Sequence, residues 1–370
     1  MAIDLNLQAP SAAGLIWRVT RNDDPTSEAE REEILAAPGF GIHFTDHMVD
    51  LCWSEKGGWH RPQVEPYGPI ALDPAAAVLH YSQEIFEGLK AYRHADGSIW
   101  TFRPDRNAAR LQRSARRLAL PELPTEYFIE SLKQLIAVDG DWVTKKDEES
   151  LYLRPFMFAK EAFLGVRAAK KVAFYVIASP AGPYFPTGIA PVDIWLSTNY
   201  ARAGKGGTGA AKTGGNYASS LLPQAEAYEK GCQQVLFLDG PYLEELGGMN
   251  VVLVTRDGRL ITPASDSILE GVTVASILQL AKDRGLTVEQ RKVTIDEWRE
   301  GAASGEIVGA FACGTAAVLV PIGRLKSDDF EIVHDGPEAT ELAMSLRDEL
   351  TGIQYGRVED RHGWMLRLDA

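Results

Sequence analysis

The stretch Gly204–Asn216, GKGGTGAAKTGGN, holds six glycines and two lysines, Lys205 and Lys212, and no residue larger than lysine. It follows an apolar run, VDIWLST (192–198), and precedes a helix-like segment, YASSLLPQAEAYEKG (217–231). A glycine-rich turn between strand and helix leaves backbone N–H groups and space for a phosphate. A nucleotide-binding P-loop needs glycine before its lysine, and Ala211 stands there before Lys212-Thr213. A dinucleotide fingerprint is spelled by Gly204, Gly206 and Gly209, but it needs a helix beginning inside it. More glycines follow, and no clean helix start is expected before Asn216. A third reading makes Lys212 a Schiff-base lysine, with the glycines as room for an aldehyde cofactor. A fourth is a flexible surface loop with solvated lysines. The loop alone does not decide.

Outward from the loop, the chain reads as two domains. Its 370 residues exceed one ordinary core. The segment PAGPYFPTGIAP (180–191), with Pro180, Pro183, Pro186 and Pro191, is the expected linker between domains at 1–179 and 192–370. RNAARLQRSARRLAL (106–120) places Ala108, Leu111, Ala115 and Leu118 on one helical face. EYFIESLKQLIAV (126–138) reads as a helix with Thr125 as N-cap. LYLRPFMFA, KVAFYVIAS, QQVLFLDG, YLEELGGMNVVLVT and LITP read as strands, with RDGR as a hairpin turn, and TVASILQLAKDRG as a helix. Strands and helices mix without regular βαβ alternation, so the fold class is α+β or an irregular α/β.

A formal charge of -13 argues against nucleic-acid and anionic-membrane partners. No apolar run is long enough to span a bilayer, and the start, MAIDLNLQAP, shows no signal-peptide pattern. Cys52, Cys232 and Cys313 form neither a CxxC pair nor a disulfide framework. A cytoplasmic setting is expected. His43 and His47 in HFTDH are spaced as on a zinc-binding helix, yet the segment lacks a helical apolar stripe and the HExxH glutamate. Hydrogen-bonded loop histidines are expected, with no metal.

Several segments together resemble one family. GTGAAKTGGNYASS, FTDHM, IFEGLKAYR, FRPDRNAARL, LYLRP, LEELGGMN, LEGVTVASIL and FACGTAAV are similar, in order and approximate spacing, to motifs of the branched-chain amino acid aminotransferases. These are pyridoxal-phosphate enzymes of fold type IV. The resemblance implies a smaller N-terminal and a larger C-terminal domain, with pyridoxal 5'-phosphate in the interdomain cleft. It implies transamination between leucine, isoleucine or valine and 2-oxoglutarate by a ping-pong route, in a homodimer. D-amino acid aminotransferases and aminodeoxychorismate lyases share the fold and are the alternative.

The resemblance assigns Lys212 to the Schiff base and to proton transfer, leaving Lys205 as a solvated lysine. It assigns Tyr217 to the cofactor phenolate, Arg110 to the phosphate, and Glu245 to the pyridine nitrogen. Strand neighbours face opposite ways, so Glu244 is expected to be a solvated edge residue. Further phosphate donors are the N–H groups of Val272 and Thr273, at a helix start, and the turn at Thr315. Substrate contacts are implied for Phe40, Tyr81, Phe86, Tyr152, Arg154, Tyr184 and Met249, with Ala316 near the α-carboxylate. Aromatic walls suit aliphatic side chains, while tyrosine hydroxyls and an arginine suit the γ-carboxylate of glutamate. Three departures stand out: Ala317 and Val320 replace a redox CxxC of many animal members, Gly248 a common threonine, and Glu270 a usual proline.

Overall fold

In a computed structural model, residues 6–7, 14, 16–183 and 188–370 are described. Tyr184 lies outside them. The chain divides into two compact units. One comprises Met1–Pro186, Ala211–Gly214 and Ile353–Ala370; the other comprises Thr187–Ala210 and Gly215–Gly352.

The first unit is built on a ten-stranded sheet. Its centre is the long antiparallel pair Ser150–Ala159 and Lys171–Ala181, formed by the two β-branched and aromatic runs legible in the sequence. Helices Pro104–Arg117 and Thr125–Asp139 bury Leu111, Ala115, Phe128, Leu132 and Leu135 in the core with Leu151, Leu153 and Phe174. Thr125 is not the N-cap. Pro124 holds that place and makes no capping bond, and the Thr125 hydroxyl accepts from the Gln112 amide.

A second domain at 192–370 would include both Lys212 and the C-terminal strand. Strand Met365–Arg367 instead pairs with Ile99–Phe102 of the first sheet. Lys212 is tied to the first unit from both sides. Its N–H donates to the Ser114 hydroxyl at 2.9 Å, and its carbonyl accepts the Phe86 N–H at 3.0 Å. Contacts far apart in sequence, not the order of segments, decide this grouping.

The second unit carries a nine-stranded mixed sheet. Val192–Leu196 runs parallel to both Gln234–Asp239 and Val318–Lys326, and the hairpin Asn250–Thr255/Leu260–Pro263 turns at RDGR. Helix Val272–Asp283 buries Val274, Ile277, Leu278 and Ala281, the face its spacing predicts. The segment after the glycine loop is not one helix. It forms Gly214–Ala218 and Leu221–Glu229, so helix begins two residues before Asn216. Pro223 lies in the first turn of the second piece, where its missing N–H removes no helical bond.

Among the described residues no helix is long and apolar enough to cross a membrane, and no His, Cys, Asp and Glu group is placed to hold a metal. His47 lies in strand His47–Ser54. Its Nδ1–H donates to Asp139 Oδ1 at 2.6 Å while Nε2 accepts the Asn22 N–H at 2.9 Å.

Candidate active site

In the first unit the glycine loop brings Lys212 onto residues from three other elements. The Lys212 Nζ stands 4.8 Å from the centroid of the Phe86 ring, and the Arg154 guanidinium stands 4.7 Å from the same centroid. Two cations therefore share one aromatic ring. Arg154 also donates to the Tyr152 hydroxyl at 3.0 Å, and Phe40 meets Tyr152 edge-to-face at 5.0 Å. Glu84 accepts from the Thr213 hydroxyl at 3.2 Å and from the Gly214 N–H, fixing the loop beyond the lysine.

Arg110 is buried in a paired arrangement. Its Nε and Nη2 donate to the two oxygens of the fully buried Glu87 at 2.8 and 2.7 Å, and Asn107 donates to the same carboxylate at 2.8 Å. This fork selects Arg110 from the five arginines of its helix, all the others of which are more exposed. The loss of hydration around the Lys212 amine does most to pull its pKa down, to about 8. Arg110 pushes the same way and Glu87 opposes it. The amine is thus easily made neutral, as a nucleophile and base must be.

Tyr81 does not join this group. It lies on Ala77–Tyr81, its ring is exposed, and its hydroxyl donates to the Leu164 carbonyl. Lys205 is exposed, as expected.

The second unit holds another constellation. Glu245 is buried, and one of its oxygens takes the Arg202 guanidinium at 2.6 Å and the Leu269 N–H at 2.9 Å. Arg202 is itself fixed by the carbonyls of Gly209 and Ser267 at 3.0 and 2.5 Å. A Cβ on Gly209 would come within 2.0 Å of the Ser267 carbonyl oxygen, so this glycine permits the close approach. Glu244 corrects the expectation of a solvated edge. It is 1% exposed and accepts from the Ser267 hydroxyl, and burial raises its pKa against that hydrogen bond. Both faces of Tyr242–Leu246 are covered, so alternation along the strand does not separate an inner from an outer glutamate.

Helix Val272–Asp283 begins at Gly271 with no side-chain cap and no acid in its first turn. Its start is coupled to Glu245 through Leu269, whose carbonyl accepts from Asn250 at 3.1 Å. A Cβ on Gly271 would lie 2.1 Å from Asn250 Oδ1. Thr315 and Ala316 form the half-buried turn after Ile307–Gly314, and a Cβ on Gly314 would press on Met249 Cγ at 2.9 Å. Val318 closes this turn at φ 62, a left-handed conformation rare for a β-branched residue. Tyr217 is half-buried on Gly214–Ala218.

Each unit by itself offers groups of a kind that a phosphorylated aldehyde cofactor uses: the first a lysine amine of lowered pKa, the second an uncapped helix start suited to a phosphate and a buried carboxylate suited to a ring nitrogen. Glu87, Glu84, Ser114 and Arg202 are not singled out by the sequence. Glu87 lies within the motif IFEGLKAYR, where an acid amid apolar residues was the available signal; the others carried none.

The model of the class IV amino-transferase family matches residues 84–325. The chain is 58% identical over 363 residues to a branched-chain-amino-acid aminotransferase of Mycolicibacterium smegmatis, covering 96% of this chain and 99% of that protein. Its fold is similar to the crystal structure of the Escherichia coli branched-chain amino acid aminotransferase. The TM-score is 0.70 and the identity 26%, over 86% of this chain and 99% of that one. It is also similar to the T.th. branched-chain amino acid aminotransferase with pyridoxamine 5'-phosphate, with TM-score 0.68 and 26% identity, over 86% and 98% of the respective chains. The chain belongs to the class IV aminotransferases. Its two-sheet α/β architecture is that of the fold-type IV enzymes.

Proposed function

We propose that this chain transfers the amino group of leucine, isoleucine or valine to 2-oxoglutarate by a ping-pong route, using pyridoxal 5'-phosphate. The observation that carries the reading is Lys212: a lysine of lowered pKa, held at its backbone by Ser114 and Phe86 and set over an aromatic ring beside two arginines. The likeness to the M. smegmatis enzyme supports the choice of substrates.

When bound, pyridoxal phosphate supplies an aldehyde that takes up the amino group and a pyridinium ring that draws electron density from the substrate Cα. Lys212, as the neutral amine, removes and returns the Cα proton. Glu245, paired with Arg202 and the Leu269 N–H, would keep a proton on the ring nitrogen, and Tyr217 would donate to the phenolate oxygen. Arg110, the Val272 and Thr273 N–H groups and the Thr315 turn hold the phosphate. Phe40, Phe86, Tyr152 and Met249 receive the aliphatic side chain, and Arg154 with Tyr152 receives the γ-carboxylate of glutamate. Ala316 borders the α-carboxylate, and Tyr184 completes the substrate contacts. We place the enzyme in the cytoplasm as a homodimer, a state that sedimentation would test; the apolar Leu79, Leu164 and Val166 are exposed on the single chain.

The test is glutamate formation from 2-oxoglutarate with L-leucine, L-isoleucine, L-valine and D-alanine as donors. Turnover with the three L-amino acids and none with D-alanine is expected. Turnover with D-alanine alone would overturn the reading in favour of a D-amino acid transaminase.

A further inference from the structure

The second unit contains a cavity of about 560 Å³, within the range of small-molecule sites. None of its lining residues belongs to either constellation described above. It opens beside the hairpin turn that carries Arg256 and reaches the start of helix Pro337–Gln354.

Its lining divides by chemistry. The Arg256 Nε–H donates to the Gly305 carbonyl at 2.8 Å, which fixes the guanidinium and leaves both terminal nitrogens for a ligand. Arg256 makes no ion pair among the described residues. Gly305, at φ 73, lies under this guanidinium: a Cβ there would be 2.4 Å from Nη2. His334 supplies a second donor. An indole N–H can only donate, and Trp298 Nε1 donates to His334 Nε2 at 3.0 Å, so the imidazole proton sits on Nδ1. Asp335 and Glu338 contribute carboxylates to the same lining, and Ile307 and Leu342 contribute apolar surface.

A simple anion would meet two carboxylates against one guanidinium, and a simple cation would meet the guanidinium. A molecule carrying both charges and an apolar tail matches all three parts of the wall. We propose that this cavity binds a free α-amino acid with an aliphatic side chain. Its carboxylate lies on Arg256 and His334 Nδ1–H, its ammonium on Asp335 and Glu338, and its side chain against Ile307 and Leu342. The site is separate from the transamination site and does not depend on that reading.

The probe is α-methyl-L-leucine, which has no Cα proton to lose, titrated calorimetrically into the holoenzyme. We expect a bound equivalent whose Kd rises at least about tenfold in Arg256→Leu, as loss of a charge-assisted contact requires. An Asp335→Asn/Glu338→Gln variant should weaken the same equivalent, with transamination turnover unchanged in both. Arg256 is exposed, so its replacement leaves the core intact. Binding with the same affinity and stoichiometry in both variants as in the parent, or no binding at all, would overturn the proposal.

Discussion

The guanidinium of Arg202 and the carboxylate of Glu245 form an ion pair at 2.6 Å with both side chains buried. Removing one partner of such a pair leaves an uncompensated charge in a dry environment. Arg202→Met should therefore destabilise the apoprotein by about 3–5 kcal/mol. Adding Glu245→Leu to it should restore much of the loss. Urea denaturation of the two variants measures this; a loss below about 1 kcal/mol for Arg202→Met would mean the pair is no better than a surface bridge.

Arg110 is bound by Glu87 on one side, and its proposed second task is the cofactor phosphate. Arg110→Ala should weaken cofactor affinity by roughly ten- to a hundredfold, the scale of one charge-assisted contact. An absorbance titration of the apoprotein with pyridoxal phosphate gives the answer. Unchanged affinity would assign the phosphate to another residue.

An ordinary lysine titrates near 10.5, whereas Lys212 in the folded chain titrates near 8. Between these values the unfolded chain holds the proton and the folded chain has released it, so apoprotein stability rises with pH across that window. Lys212→Met removes the cost of the charged amine. The variant should be more stable than the parent at pH 7, and the difference should shrink as pH is raised towards 10.5. A difference independent of pH would show that the amine is not desolvated.

Gly88 follows Glu87, and a Cβ there would fall 2.0 Å from the Tyr152 hydroxyl. Gly88→Ala must push Tyr152 aside, at a cost of about 1–3 kcal/mol of stability. Because Tyr152 accepts from Arg154, KM for glutamate should rise with it. Normal KM and stability would mean that Tyr152 moves freely.

Much of the architecture was legible from periodicity. The helices at Pro104–Arg117, Thr125–Asp139 and Val272–Asp283 and the long strands Ser150–Ala159 and Lys171–Ala181 each carry a strong apolar pattern. The glycine loop pointed to Lys212, but composition could not separate a reactive lysine from a solvated one. That difference depends on Ser114, Arg110 and Glu87, about a hundred residues away in sequence. Arg110 was hidden among its neighbours for the same reason, since its carboxylate partner comes from another element. Glu244 misled because strand alternation presumes one wet face, and here both are covered. Arg202 carried no local signal, because its fixed position rests on backbone carbonyls brought together by Gly209 and Ser267.

The central claim is that the side-chain nitrogen of Lys212 bonds covalently to the cofactor aldehyde. Borohydride reduction of the holoenzyme followed by peptide mass mapping tests it directly. The account predicts a phosphopyridoxyl mass on the peptide containing Lys212 and on no other. The same mass on the peptide containing Lys205, or its absence from every peptide, would contradict it.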